Sequence, residues 1–178
     1  MDGVGTIGDP RLWLLFHYWR GKRGGRAMPS PLDINLAELP KPVQPNAMLL
    51  DVVAGDGCVR FRYRQVGAVF WRATGKEPIG QFVGEVLPET AGYRKYVVGI
   101  YEEMAAQKRP MYTENLFILQ HGQSDPMTTK RVSLPLSRDG ETVDEVLAGH
   151  VFDYGGGSND AFALVTGLDE RVRAFLDD

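Results

Sequence analysis

A single cysteine, Cys58, stands among the 178 residues. No internal disulfide framework can form, and such thiol usage suits a reducing compartment. An excess of charge is missing too. The formal net charge is −3, whereas a dedicated nucleic-acid binder carries a strongly basic footprint. Long apolar runs are absent. The longest near the start is Leu12 to Phe16, far short of the ~20 residues that cross a bilayer. The acidic, glycine-rich opening MDGVGTIGDP does not read as a signal peptide. These absences predict a soluble, cytoplasmic protein with neither membrane nor nucleic acid as its partner.

Chemistry-bearing constellations are equally sparse. His17 has no acid one helical turn on, His121 sits in the polar turn QHGQSDP, and His150 shares a strand face with Val146, Ala148, Phe152 and Tyr154. No cluster offers the ligands that a metal needs. No serine lies in a G-x-S-x-G elbow, and no histidine is near Cys58 in sequence. The GDG and GGGS stretches fit neither the dinucleotide fingerprint nor the P-loop. The sequence therefore assigns no catalytic residue and no metal site, and a non-enzyme is expected.

What remains is an ordinary globular composition, 43% hydrophobic and 24% charged, enough for a packed core. The length fits one domain with flanking elements. Asp9-Pro10 is a helix start, since aspartate caps free N–H groups and proline suits the first helical position. Leu12, Leu15, Phe16 and Trp19 follow at helical spacing, widened by Trp13, Leu14 and Tyr18. That surplus apolar face packs either on its own domain or on a second copy, which makes Leu12, Trp13, Leu15, Phe16 and Trp19 candidate dimer contacts. The basic cluster Arg20, Lys22, Arg23 and Arg26 at the end of this helix complements its dipole. A connector with five prolines, from Ala27 to Asn46, closes a first segment, residues 1–46.

Two strand patterns flank Gly55-Asp56-Gly57, a hairpin signal. In the second, Arg60, Arg62 and Arg64 alternate with Phe61 and Tyr63, and pairing with acids on neighbouring strands is the expected role of that stripe. A short helix over Ala68 to Ala73 and a long one from Tyr93, ended by Pro110, come next. Strands are predicted at Tyr112 to Gln120, Lys130 to Leu136 and Val143 to Tyr154, with Pro135 suggesting an edge or a bulge. GGGSND reads as a linker and Asp169 to Leu176 as a short helix, making 155–178 a tail. The order predicts an α+β fold, a five-stranded antiparallel sheet with helices on one face, plus an N-terminal flanking helix.

The stretch RYRQVGAVFWRATGKEPIGQFVGEVLP resembles the heart of PAS sensory domains, in which a strand leads into a helix written N-x-A-F-x-x-x-T-G. Phe70, Thr74 and Gly75 match the helix, Ile79 and Gly80 the following IG step, and Leu87-Pro88 the closing turn. The later KRVSLPLSRDGETVDEVLAGHVFDY looks like the family's last two strands. The resemblance covers Ala47 to Tyr154, the expected sensory domain, 47–154. The leader FHYWRGKRGGRAMPSPLDINLAEL looks like the N-terminal part of an alphaproteobacterial PAS variant that often occurs without an output domain. Gly67 departs from the pattern, standing where many members have asparagine.

The resemblance implies a non-catalytic sensory protein that binds a small molecule or a protein partner and acts through homodimerisation or partner contacts. It implies neither haem, since Tyr93 to Gln107 holds no histidine, nor photosensing flavin, since no N-C-R-F-L-Q-type motif occurs. Only 24 residues follow Tyr154, so output through a partner is expected. Candidate ligand-binding residues are Phe70, Trp71, Tyr101, Phe117 and His150. Phe70 is placed by the motif and the rest by apolar faces, where each can equally be core. Two alternatives stay open: a small α+β enzyme using His150 with a nearby acid, and a ligand-free interaction scaffold.

Overall fold

Asp9 opens the first helix as the Asp-Pro pair predicts, its Oδ1 accepting the Arg11 backbone N–H at 2.9 Å. The computed structural model describes residues 6–55, 57–74, 77–119, 127–153 and 165–176. In chain order the elements are α1 (Pro10–Lys22), β1 (Ala47–Ala54), β2 (Val59–Val66), α2 (Ala68–Thr74), α3 (Val83–Val86), α4 (Tyr93–Gln107), β3 (Met111–Leu119), β4 (Met127–Leu136), β5 (Glu145–Asp153) and β6 (Val165–Phe175). The fold is α+β, built on one antiparallel sheet in the order β2-β1-β5-β4-β3-β6.

The sheet has six strands rather than five, because Asp169–Leu176, read as a helix, lies mostly within β6. Its composition suits a helix, and no clean alternation marks it as a strand. What decides is the outer edge of β3, whose backbone groups need partners; β6 pairs with it from Met111↔Phe175 to Leu119↔Val165. Helices cover both faces of this sheet. Successive strand residues point to opposite sides, and β5 shows both: Leu147 and Val151 join a core with α1, Val146 and Ala148 a core with α4.

On the first face α1 buries Leu12, Leu15, Phe16 and Trp19 against its own sheet. The surplus width is thus spent within the chain, and of the five candidate dimer contacts only Trp13, 40% exposed, stays at the surface. Gly149 makes this contact close: a Cβ there would lie 2.6 Å from Leu15 Cδ2 and 2.9 Å from Leu12 Cδ2. The Trp19 indole N–H donates to the Pro135 carbonyl at 2.8 Å. Pro135 sits in an interior strand without breaking a ladder, because the pairing of β4 with β3 stops at Ser133. The basic cluster fastens the connector: Lys22 pairs with Glu38 at 2.7 Å and Arg26 pairs with Asp33.

The second face is covered by α2, α3 and α4, with Tyr93, Val97, Ile100, Tyr101 and Met104 of α4 turned inward. The arginine stripe of β2 meets strand acids at Arg62, with Asp51 at 2.9 Å, and at Arg64, with Glu145, whereas Arg60 pairs with Glu85 of the helix α3. Among the described residues, no helix is long and apolar enough to cross a membrane.

Candidate functional site

Gly67 sets the position of α2. A Cβ on it would lie 2.4 Å from the Pro45 carbonyl oxygen and 2.8 Å from that of Ala47, so only glycine lets the chain leave β2 this close to the start of β1. Its N–H donates to the Ala47 carbonyl at 2.9 Å. The departure from the asparagine pattern thus has a steric cause. One turn later Phe70 comes down over the end of β5, where β1 no longer flanks it: its ring centroid lies 6.0 Å from that of His150 and 6.4 Å from that of Phe152.

Phe70, Tyr101, Phe117 and His150, four of the five predicted ligand-binding residues, are buried on this face. Trp71 is not among them. Adjacent helical residues point about 100° apart, so Phe70 turned inward leaves Trp71 42% exposed. The predicted turn residue Gly75 and His121 lie outside the described residues.

Around His150 the face turns polar where core would be expected. The antiparallel register sets Thr113 of β3 beside Arg131 of β4, and Arg131 beside His150 of β5. The next row sets Asn115 beside Thr129 and Phe152. Arg131 is 1% exposed, Asn115 1% and His150 3%. From above, Tyr93 and Tyr101 of α4 reach into the same layer.

The bonds within it are specific. Arg131 Nε–H donates to His150 Nε2 at 2.6 Å. An acceptor nitrogen carries no proton, so the imidazole hydrogen sits on Nδ1, which has no protein partner. Arg131 further reaches Tyr93 Oη at 3.2 Å and Thr113 Oγ1 at 3.4 Å. Tyr101 Oη lies 3.3 Å from His150 Nε2. Both ends of the Asn115 amide are buried without a protein partner, a rare and costly arrangement. Burial, with the Arg131 charge adding to it, holds His150 well below the ordinary imidazole range. Burial likewise raises the Tyr93 and Tyr101 phenols, so all three rings are neutral.

Family models, curated proteins and solved structures offer no match to this chain. The chemistry of the site must be read from its own atoms.

They form a set of donors around one fixed positive charge. Among the described residues no carboxylate contacts His150, and no group of three or more His, Cys, Asp or Glu could hold a metal. Arg131 and Asn115 were missed by sequence reading. KRVSLPL reads in sequence only as a strand, with Pro135 suggesting an edge or a bulge, whereas β4 is interior and covered on both faces. The detectable signal is the shared parity of Thr129, Arg131 and Ser133 between two other predicted strands.

Proposed function

We propose that this protein is a non-catalytic, PAS-type sensory domain that binds a small molecule between its sheet and α2–α4. Binding would be read out by a second copy or by a partner protein. The observation that carries this reading is the buried polar row Thr113–Arg131–His150, with Asn115 beside it holding two unpartnered polar ends. A protein interior built only for stability fills such positions with apolar side chains, because each buried polar group without a partner costs about 1–3 kcal/mol. A ligand that meets these groups binds one conformation better than another, which is what a sensor requires. The Ala47–Tyr154 resemblance agrees with five contiguous strands carrying α2–α4 on one face.

The enzyme alternative is weaker on the same atoms. A general base needs a free lone pair, and His150 Nε2 already accepts from Arg131. Native mass spectrometry of the purified full-length chain tests the proposal. A bound small molecule, released on denaturation, is the expected result. A mass equal to the bare chain, together with no thermal stabilisation by any member of a metabolite library, would favour the scaffold reading.

A further inference from the structure

Among the described residues Arg131 is the one buried guanidinium, and it bonds to a neutral imidazole, a phenol and a hydroxyl. Arginine cannot shed its proton. A charge buried without an opposite charge is among the most costly arrangements in a protein, and arginines are almost never fully buried unless paired. Elsewhere this chain obeys that rule. The buried Glu145 meets both Arg64 and Arg138, so the missing acid at Arg131 is a local exception.

The groups near Arg131 also share a polarity. His150 presents Nδ1–H, the Asn115 amide an NH2, and Tyr93, Tyr101 and Thr113 hydroxyls that can turn to donate. Two of the Arg131 bonds, at 3.2 and 3.4 Å, lie at the long end of the normal range and are readily exchanged for shorter charged ones. The size of the charge is limited as well. One guanidinium faces this layer, and His150 is neutral, so a monoanion is balanced while a phosphate dianion is not. The planar fork of arginine fits a carboxylate through two parallel bonds. Phe70, Phe117 and Phe152 offer apolar surface next to it.

We infer that the polar layer is the binding site for a small organic monocarboxylate, its carboxylate held by the Arg131 fork and Asn115 reading a further polar group on the molecule. This rests on the reading of the site as a ligand site and names the class of ligand it takes.

The test compares acids with their uncharged amides on the full chain, with sodium chloride at matched ionic strength as the control. Butanoate and phenylacetate are set against butanamide and phenylacetamide in thermal unfolding. The acids should raise Tm by roughly 5–10 °C at a hundredfold excess over Kd, and the amides should leave it unchanged. Arg131→Gln should abolish the shift. Arg131→Lys, which keeps the charge without the fork, should retain the preference for acids with a smaller shift. Equal stabilisation by acids and amides, or an undiminished acid shift in Arg131→Gln, would overturn the carboxylate assignment while leaving a ligand site in place. No shift with any probe, and no small molecule released from the purified chain, would overturn both.

Discussion

The Nε–H of Arg131 donates across 2.6 Å to Nε2 of His150, which ties a permanent cation to a neutral imidazole. The pair makes stability depend on pH in a definite direction. Folded His150 titrates well below the ordinary value because of burial first and the Arg131 charge second, whereas unfolded His150 takes up its proton near pH 6.5. Below about pH 6.5 the unfolded state therefore binds more protons, and stability falls as pH falls, by up to about 1.4 kcal/mol per unit. Urea unfolding at pH 7, 6 and 5 should show the gap between wild type and His150→Gln narrowing on acidification. A gap independent of pH would mean that His150 protonates freely in the folded protein.

Removing the charge should help a chain that carries no small molecule. In Arg131→Met, refolded from denaturant, an apolar side chain of similar length replaces an unpaired buried cation. Replacing even a buried ion pair by apolar side chains of similar volume is often neutral or stabilising by about 1–4 kcal/mol. Equal or higher Tm than refolded wild type is expected. A large loss would show that Arg131 is compensated within the chain, as a structural residue would be.

Gly67 should tolerate nothing larger. In Gly67→Ala the new methyl would meet backbone atoms of Pro45 and Ala47, which cannot rotate away as a side chain can. Displacing them is an overpacking defect of about 1–3 kcal/mol, and it should lift α2 from β5. The check is a double one: chemical denaturation for the loss, and altered aromatic NMR shifts of Phe70 and Phe152. Gly99 serves as the control, since a Cβ there meets nothing within 4 Å.

Patterned elements were legible in the sequence because a local rule governs each. The Asp9 cap, the alternation of β2 with its outward arginines, and the stripe of α4 all follow from near neighbours. The polar layer was half legible. His150 could be named as a polar group on an apolar face, but Arg131 and Asn115 could not, because their burial depends on β4 and β3 lying inside the sheet with cover on both sides. The helix expected at Asp169 to Leu176 failed for a related reason. Its strand state comes from the edge of β3, about fifty residues earlier in the chain, and not from its own residues.

If the chain pairs with itself through α1, the contact must use what that helix leaves exposed. Leu12, Leu15, Phe16 and Trp19 are core, whereas Trp13 and Leu14 are exposed large apolar side chains in the same helix. Trp13→Ser with Leu14→Ser should then halve the mass seen by light scattering and change Tm by less than about 2 °C, because surface substitutions cost little. An unchanged mass would place any dimer contact away from α1.

The strand that closes the sheet makes the last test. β6 pairs with β3 along nearly its whole length, and beyond it the buried Leu176 N–H donates to the Pro110 carbonyl at 2.8 Å. Arg173 adds contacts to Glu170 at 2.8 Å and to Glu103 of α4, tying the strand to the helical layer. A chain ended before Val165 would leave the β3 edge unpaired, a ready template for another copy. It would also uncover Tyr112 and Leu136, which share a buried cluster with Leu176. The truncated chain should aggregate at micromolar concentration and lose cooperative unfolding. The milder Leu176→Ala should keep the strand and cost about 2–4 kcal/mol. A soluble, cooperatively folding truncation would show that the other five strands suffice and that β6 is an addition to a self-sufficient sheet.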